Sequence, residues 1–232
     1  MKVWKLTDAY GCTYGNPETP TPLQWGPGVE HTAPGNGPLC TAAWVHAYVD
    51  PFLAVLLDPV GANFGLTARL WEAEGDIGAE NLGLKVGCVR LKTVREVPLP
   101  QITLEQRIRF GILCVKEVFT DPAWNAWADN WLSGRDRSGA TARAAMVAAD
   151  GQVGEAAKAA ADAAEAAWVV AVPSRPPWVV NTVADAVANA ATSAAEAAVR
   201  AVMVLPAMSA REAAEAASLD LPALARRAME ET

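Results

Sequence analysis

Cys40, Trp44, His46 and Tyr48 fall within one short run, Leu39-Cys-Thr-Ala-Ala-Trp-Val-His-Ala-Tyr-Val-Asp-Pro51. A thiol and an imidazole are the parts of a nucleophile pair, and with His31 and Cys12 they are also soft metal ligands. Their spacing matches no standard zinc module, and His46 lies in an apolar run where a hydrogen-bonded core histidine is the commoner outcome, so no metal is expected. Tyr14, Trp25, Trp44 and Tyr48 offer ring faces on which a nucleotide-like ring stacks. Glu72 and Glu74 stand two apart in a strand-like segment, which puts both carboxylates on one face with Trp71 and Ala73 on the other. Such a pair serves acid/base or oxocarbenium-stabilising chemistry, or simply faces water on an antiparallel sheet. Gly26-Pro-Gly28 and Gly35-Asn-Gly37 lack the strand, helix and lysine context of a phosphate loop, and no cofactor is expected.

The elements that position these residues read as α+β. Val3-Trp-Lys-Leu6 alternates as a strand does, whereas Gly11 to Pro38 is crowded with turn formers and reads as a long loop, a candidate lid or pocket rim. Asp50-Pro51 opens a short helix, apolar all round and therefore buried. Residues 68–74 and 84–97 are strand-rich. In the second, Val89, Leu91 and, after one slip, Val94 alternate with Arg90, Lys92 and Arg95, as in a small mixed or antiparallel sheet with one wet face. This first domain spans residues 1–101.

Thr103-x-x-Gln106 is a capping box for a helix to about Phe119, and Asp121-Pro122 starts another that stops at Ser133-Gly134. Trp124, Trp127 and Trp131 share one face of the latter. The stripe predicts that 102–138 are connecting helices packed on the first domain, with an exposed stacking platform as the alternative. Residues 139–232 are an Ala-rich bundle or set of hairpins, interrupted at Gly151-x-x-Gly154, at Pro173 to Pro177 and at Pro206. Ser209-x-x-Glu212 caps one further helix and Asp220-Leu-Pro222 opens the last. Alanine buries little area, so these helices must pack closely on each other or on another chain.

The net charge of -7 argues against binding to a phosphate backbone, which needs clustered Lys and Arg. The start has no apolar core of signal-peptide length, and no run is long enough to span a bilayer. The cysteines are widely spaced without a Cys-x-x-Cys pair, and reduced thiols in the cytoplasm are expected.

Gln24-Trp25-Gly-x-Gly28, Leu39-Cys40-x-x-x-Trp44-x-His46-Ala47-Tyr48-x-Asp50-Pro51, Leu70-Trp71-Glu72-Ala73-Glu74-Gly75, Val86-Gly87-Cys88 and Trp127-Ala-x-x-Trp131-Leu-Ser-Gly-x-Asp-Arg-Ser138 occur in this order. Together they resemble an uncharacterised domain of bacteria and their phages, over roughly residues 1–138. That resemblance implies a phage or prophage accessory protein and transfers no catalytic residue. The order of strand, long loop, Cys segment, buried helix and Glu-x-Glu strand is also similar in outline to ADP-ribosyltransferase folds, with Cys40-Thr41-Ala42 standing where those have Ser-Thr-Ser. The likeness implies Glu74 as the catalytic carboxylate, Glu72 assisting and His46 near the nicotinamide or ribose of NAD.

The leading expectation is a non-enzymatic cytosolic accessory protein that binds a partner or a nucleotide-like ligand through Tyr14, Trp25, Cys40, Trp44, His46 and Tyr48, with a helical self-association tail. The alternatives are the NAD enzyme and a purely structural assembly protein.

Overall fold

The computed structural model describes residues 1–13, 22–39, 41–57, 67–171, 179–203 and 219–230. Tyr14, Cys40, the Pro173 to Pro177 turn, Pro206 and the Ser209 to Glu212 cap lie outside them. The fold is α+β, and the chain forms two compact units, Met1–Gln101 and Ile102–Thr232.

The first unit holds β1 (Lys2–Thr7), β2 (Cys12–Thr13), β3 (Leu23–Gln24), β4 (Glu30–Thr32), β5 (Val45–Ala47), α1 (Pro51–Leu56), β6 (Arg69–Asn81) and β7 (Lys85–Val97). The predicted long loop is therefore partly sheet. β2 pairs with β3, and β4 and β5 lie end to end along one edge of β7. Every pairing is antiparallel, in the path β1-β6-β7-β4 with β5 beside β4. Just beyond β5, Tyr48 and Trp4 exchange both backbone hydrogen bonds, at 2.8 and 2.9 Å. That bridge brings β5 back to β1 and closes the sheet into a small barrel. Closure removes a free edge, which otherwise invites pairing with another chain.

β6 and β7 form a long hairpin whose turn places Leu82 (φ 51) and Gly83 (φ 74) in the left-handed region. Positive φ at both central residues suits the right-handed twist of the flanking strands. The hairpin slips register beside Val89 and Val94 on β7 and beside Gly78 on β6, where one strand carries an extra residue. Each bulge resets the inward phase. Cys88, Leu91 and Thr93 consequently face the core, while Val89 and Val94 are 36% and 45% exposed, correcting the alternation expected of this strand. The barrel core gathers Val3, Trp25, Val45, Ala47, Ala73, Val86, Cys88 and Leu91. Asp50 caps α1 by accepting from the Phe52 and Leu53 amides, and the helix buries Leu53 to Leu56.

The second unit contains α2 (Leu104–Lys116), α3 (Pro122–Leu132), α4 (Gly139–Asp150), α5 (Glu155–Val170), α6 (Val179–Met203) and α7 (Leu221–Met229). The Thr103–Gln106 capping box forms, and α3 ends at Ser133 with Gly134 at φ 73. α5 packs against α2, α4 and α6, and α2 against α6 and α7. The alanine faces of α5 and α6 are thus buried against each other and against α2 and α4. Gly111 of α2 lies 3.6 Å, at its ideal Cβ, from Val187 of α6, a close approach that small residues permit.

α2 and α3 belong to this helical unit, and the tryptophan stripe is used inside it. Trp124 donates its indole N–H to the Ala160 carbonyl of α5 at 3.1 Å, and makes edge contacts with Phe119 and Trp127. Trp131 is buried as well, so no stacking platform is exposed. No helix among the described residues is long and apolar enough to cross a membrane.

Candidate functional site

Three of the aromatic residues expected to stack on a ligand, Trp25, Trp44 and Tyr48, are built into the barrel wall. Trp25 is 2% exposed; its indole N–H donates to Thr13 Oγ1 at 2.8 Å, and the His31 ring meets it edge-on at 4.5 Å. Trp44 lies over Gly78 and Gly87, and a methyl group on Gly78 would stand 2.7 Å from its ring. Its N–H donates to the Gly37 carbonyl at 3.0 Å, which ties the loop after β4 down onto the sheet. Tyr48 is buried and its hydroxyl points at the Leu57 carbonyl, 3.4 Å away. The reason is common to all three. A large ring beside a small barrel buries more apolar area by filling the wall than by waiting for a ligand.

The histidines and Cys12 are likewise engaged. His46 Nε2 meets the Leu39 carbonyl, so the ring carries its proton there, and burial holds its pKa below the ordinary histidine value. His31 Nε2 contacts the Gln24 carbonyl at 2.9 Å, and the Cys12 thiol donates to Gln24 Oε1 at 3.2 Å. Among the described residues no group of three or more His, Cys, Asp and Glu is arranged to hold a metal ion.

Glu72 and Glu74 do share one face, the outer one, as their spacing predicts. Glu72 is held between Lys2 (3.0 Å) and Arg95 (2.7 Å), and the Lys2 bond foremost keeps its pKa below the usual carboxylate range. An ionised carboxylate committed to two cations is a poor proton donor. The Glu74 side chain has no ion pair or hydrogen bond among the described residues and borders a shallow depression of about 430 Å³, with Met1, Lys2, Glu72, Arg90 and Val94 around it. Beyond it, Arg90 bridges Asp76 (2.8 Å) and Glu30 (3.2 Å). None of His46, Trp25, Trp44 and Tyr48 lines this depression. The carboxylates and the imidazole expected to act together on NAD therefore do not meet there.

Lys5 is a buried polar residue for which the sequence pattern carries no signal. It lies on the inner face of β1 between Val3 and Thr7 and is only 8% exposed. Its ammonium donates to the His46 carbonyl at 2.8 Å and sits 5.0 Å over the Trp25 ring. Burial lowers its pKa to about 8. In Val3-Trp-Lys-Leu6 the apolar pair Trp4 and Leu6 competes with Val3 for the inward phase, so alternation alone gives no signal for it.

No protein-family model, curated protein or solved structure matches the chain.

Proposed function

We propose that this is a non-enzymatic accessory protein whose barrel binds a protein partner on the outer β6–β7 face. The observation that carries the reading is the fate of the reactive side chains. Trp25, Trp44, Tyr48 and His46 are committed to protein contacts, whereas Glu74 stands without a partner beside an open depression rimmed by both signs of charge. Mixed charge around a shallow site favours recognition by complementarity over enclosure of a small ring, since small-molecule sites are concave and mostly apolar. A nucleotide-like ligand is less favoured because the ring faces that would hold it are covered. The cytoplasmic, phage or prophage setting belongs to this proposal too, supported by the spaced thiols and the motif order. The helical unit is its scaffold, and further self-association is part of the same reading.

The test is quantitative affinity capture with the whole chain as bait, comparing wild type with the Glu74→Lys, Arg95→Glu double variant. Partners retained by the wild type and lost by the charge-reversed bait are expected; identical captured sets would remove the outer face as the interface. The ADP-ribosyltransferase alternative is separated by incubation with labelled NAD. Label transferred by wild type and not by Glu74→Gln would replace the binding reading with an enzymatic one.

A further inference from the structure

The barrel is closed unevenly. β6 and β7 share eleven paired positions and β1 and β6 share six, but β1 meets the β5 segment through the single Trp4–Tyr48 bridge. Beside that bridge, Lys5 reaches across the seam to the His46 carbonyl. The groups facing its ammonium are few. β5 supplies that carbonyl, the Trp25 ring lies at 5.0 Å, and β7 supplies the Cys88 thiol, whose own pKa burial pushes up to about 11 so that it stays protonated. The His46 ring, engaged by Leu39, feels the Lys5 charge, and the His31 ring stands edge-on to Trp25. Glu72 and Asp76 of β6 are spent in ion pairs on the outer face.

A buried ammonium has three N–H donors, and this one has a single hydrogen-bond acceptor among the described residues. Taking a cation out of water without a paired carboxylate is costly, and the cost vanishes once water reaches it. We propose that the seam between β1 and the β5 segment is where the barrel opens, and that hydration of the Lys5 ammonium drives the opening. Opening here uncovers the inner face, including Cys88 and Trp25. It requires the loss of few backbone hydrogen bonds, as expected of a low-stability local opening.

The proton linkage has a definite sign. The open seam returns Lys5 toward its ordinary value of 10.5, whereas the closed barrel holds it at about 8, so the open form binds more protons. Opening is therefore favoured below pH 8 and suppressed as pH rises; from pH 7 to pH 9 these values give about a tenfold fall in the opening constant.

The experiment uses the full chain and a neutral thiol reagent under native conditions, with labelling followed by peptide mass spectrometry. Each thiol's rate is divided by its rate in the urea-unfolded chain at the same pH, which cancels thiolate chemistry. Cys88 is expected to label faster than the equally buried Cys114 of α2, with a normalised rate that falls about tenfold from pH 7 to pH 9. Lys5→Met should label more slowly at pH 7 and lose that pH dependence. Equal normalised rates for the two thiols, or a flat wild-type profile at Cys88, would overturn the proposal, and this wild-type series decides it even if Lys5→Met does not fold.

Discussion

Gly75 of β6 faces the Cys88 thiol of β7 so closely that a methyl group on the glycine would stand 2.7 Å from Sγ and 3.1 Å from a methyl of Val3. The barrel interior is filled to that tolerance where β6 crosses β7 at this pair. The relationship predicts a compensating pair. Gly75→Ala should destabilise the first unit by about 1–3 kcal/mol through overpacking, and adding Cys88→Ala should recover most of the loss, because the two changes together nearly conserve volume. Urea unfolding monitored by tryptophan fluorescence reads the cycle. Additive losses would show that the two residues do not share the space described.

Trp44 occupies a cradle left open by glycine. A methyl group on Gly78 would meet its ring at 2.7 Å, with Val89 a further 3.6 Å neighbour. Gly78→Ala should cost about 1–3 kcal/mol by pushing the indole off the sheet and breaking its bond to Gly37. Trp44→Ala should be at least as damaging, at about 3–5 kcal/mol, because a buried indole leaves a cavity. Were Trp44→Ala instead neutral in unfolding but impaired in partner capture, the ring would be a contact residue and not part of the wall.

Leu82 is the one described residue other than glycine with positive φ, at 51°. The left-handed conformation costs a residue with a Cβ about 1–2 kcal/mol, and Asn is far better suited to it. Leu82→Asn should therefore raise the urea midpoint of the first unit by the equivalent of about 1 kcal/mol, less whatever the half-buried leucine contributes by packing. A lower midpoint would mean that the apolar contact outweighs the strain.

The elements were legible wherever a local signal decides them. Asp50-Pro51, Thr103-x-x-Gln106, Asp121-Pro122 and Ser133-Gly134 each start or stop a helix where the sequence pattern places the boundary, because capping depends on neighbours along the chain. The face shared by Glu72 and Glu74 was legible too, since a strand has period two. What escaped depends on pairing at a distance. The bulges beside Val89 and Val94 turn those valines outward, and no residue type in the strand announces them. The same holds for the candidate site. Trp25 and Trp44 look like ligand residues when read among loop residues, and become wall only when β4, β5 and their glycine neighbours are brought against β7. Lys5 is invisible for the opposite reason: a lone lysine in a short strand reads as solvated until closure at Trp4 and Tyr48 fixes which face points in.

The helical unit carries its own titrating strain. Asp162 of α5 has its Oδ2 buried without a hydrogen-bond partner among the described residues, and burial raises its pKa from 3.8 to about 6. Lys158, one turn earlier, opposes the shift, and Glu165 adds to it. The folded unit therefore holds a proton that the unfolded chain releases. Below pH 3.8 both states are protonated and the residue costs nothing; the penalty grows through the interval up to about pH 6 and is complete above it. Asp162→Asn removes the ionisation while keeping the shape, so it should raise the thermal midpoint at pH 7.5 and change it much less at pH 4.5. Differential scanning calorimetry of both proteins at the two pH values measures this. A wild-type to variant difference that is the same at both would assign the stabilisation to packing and leave no role for the buried carboxylate's charge.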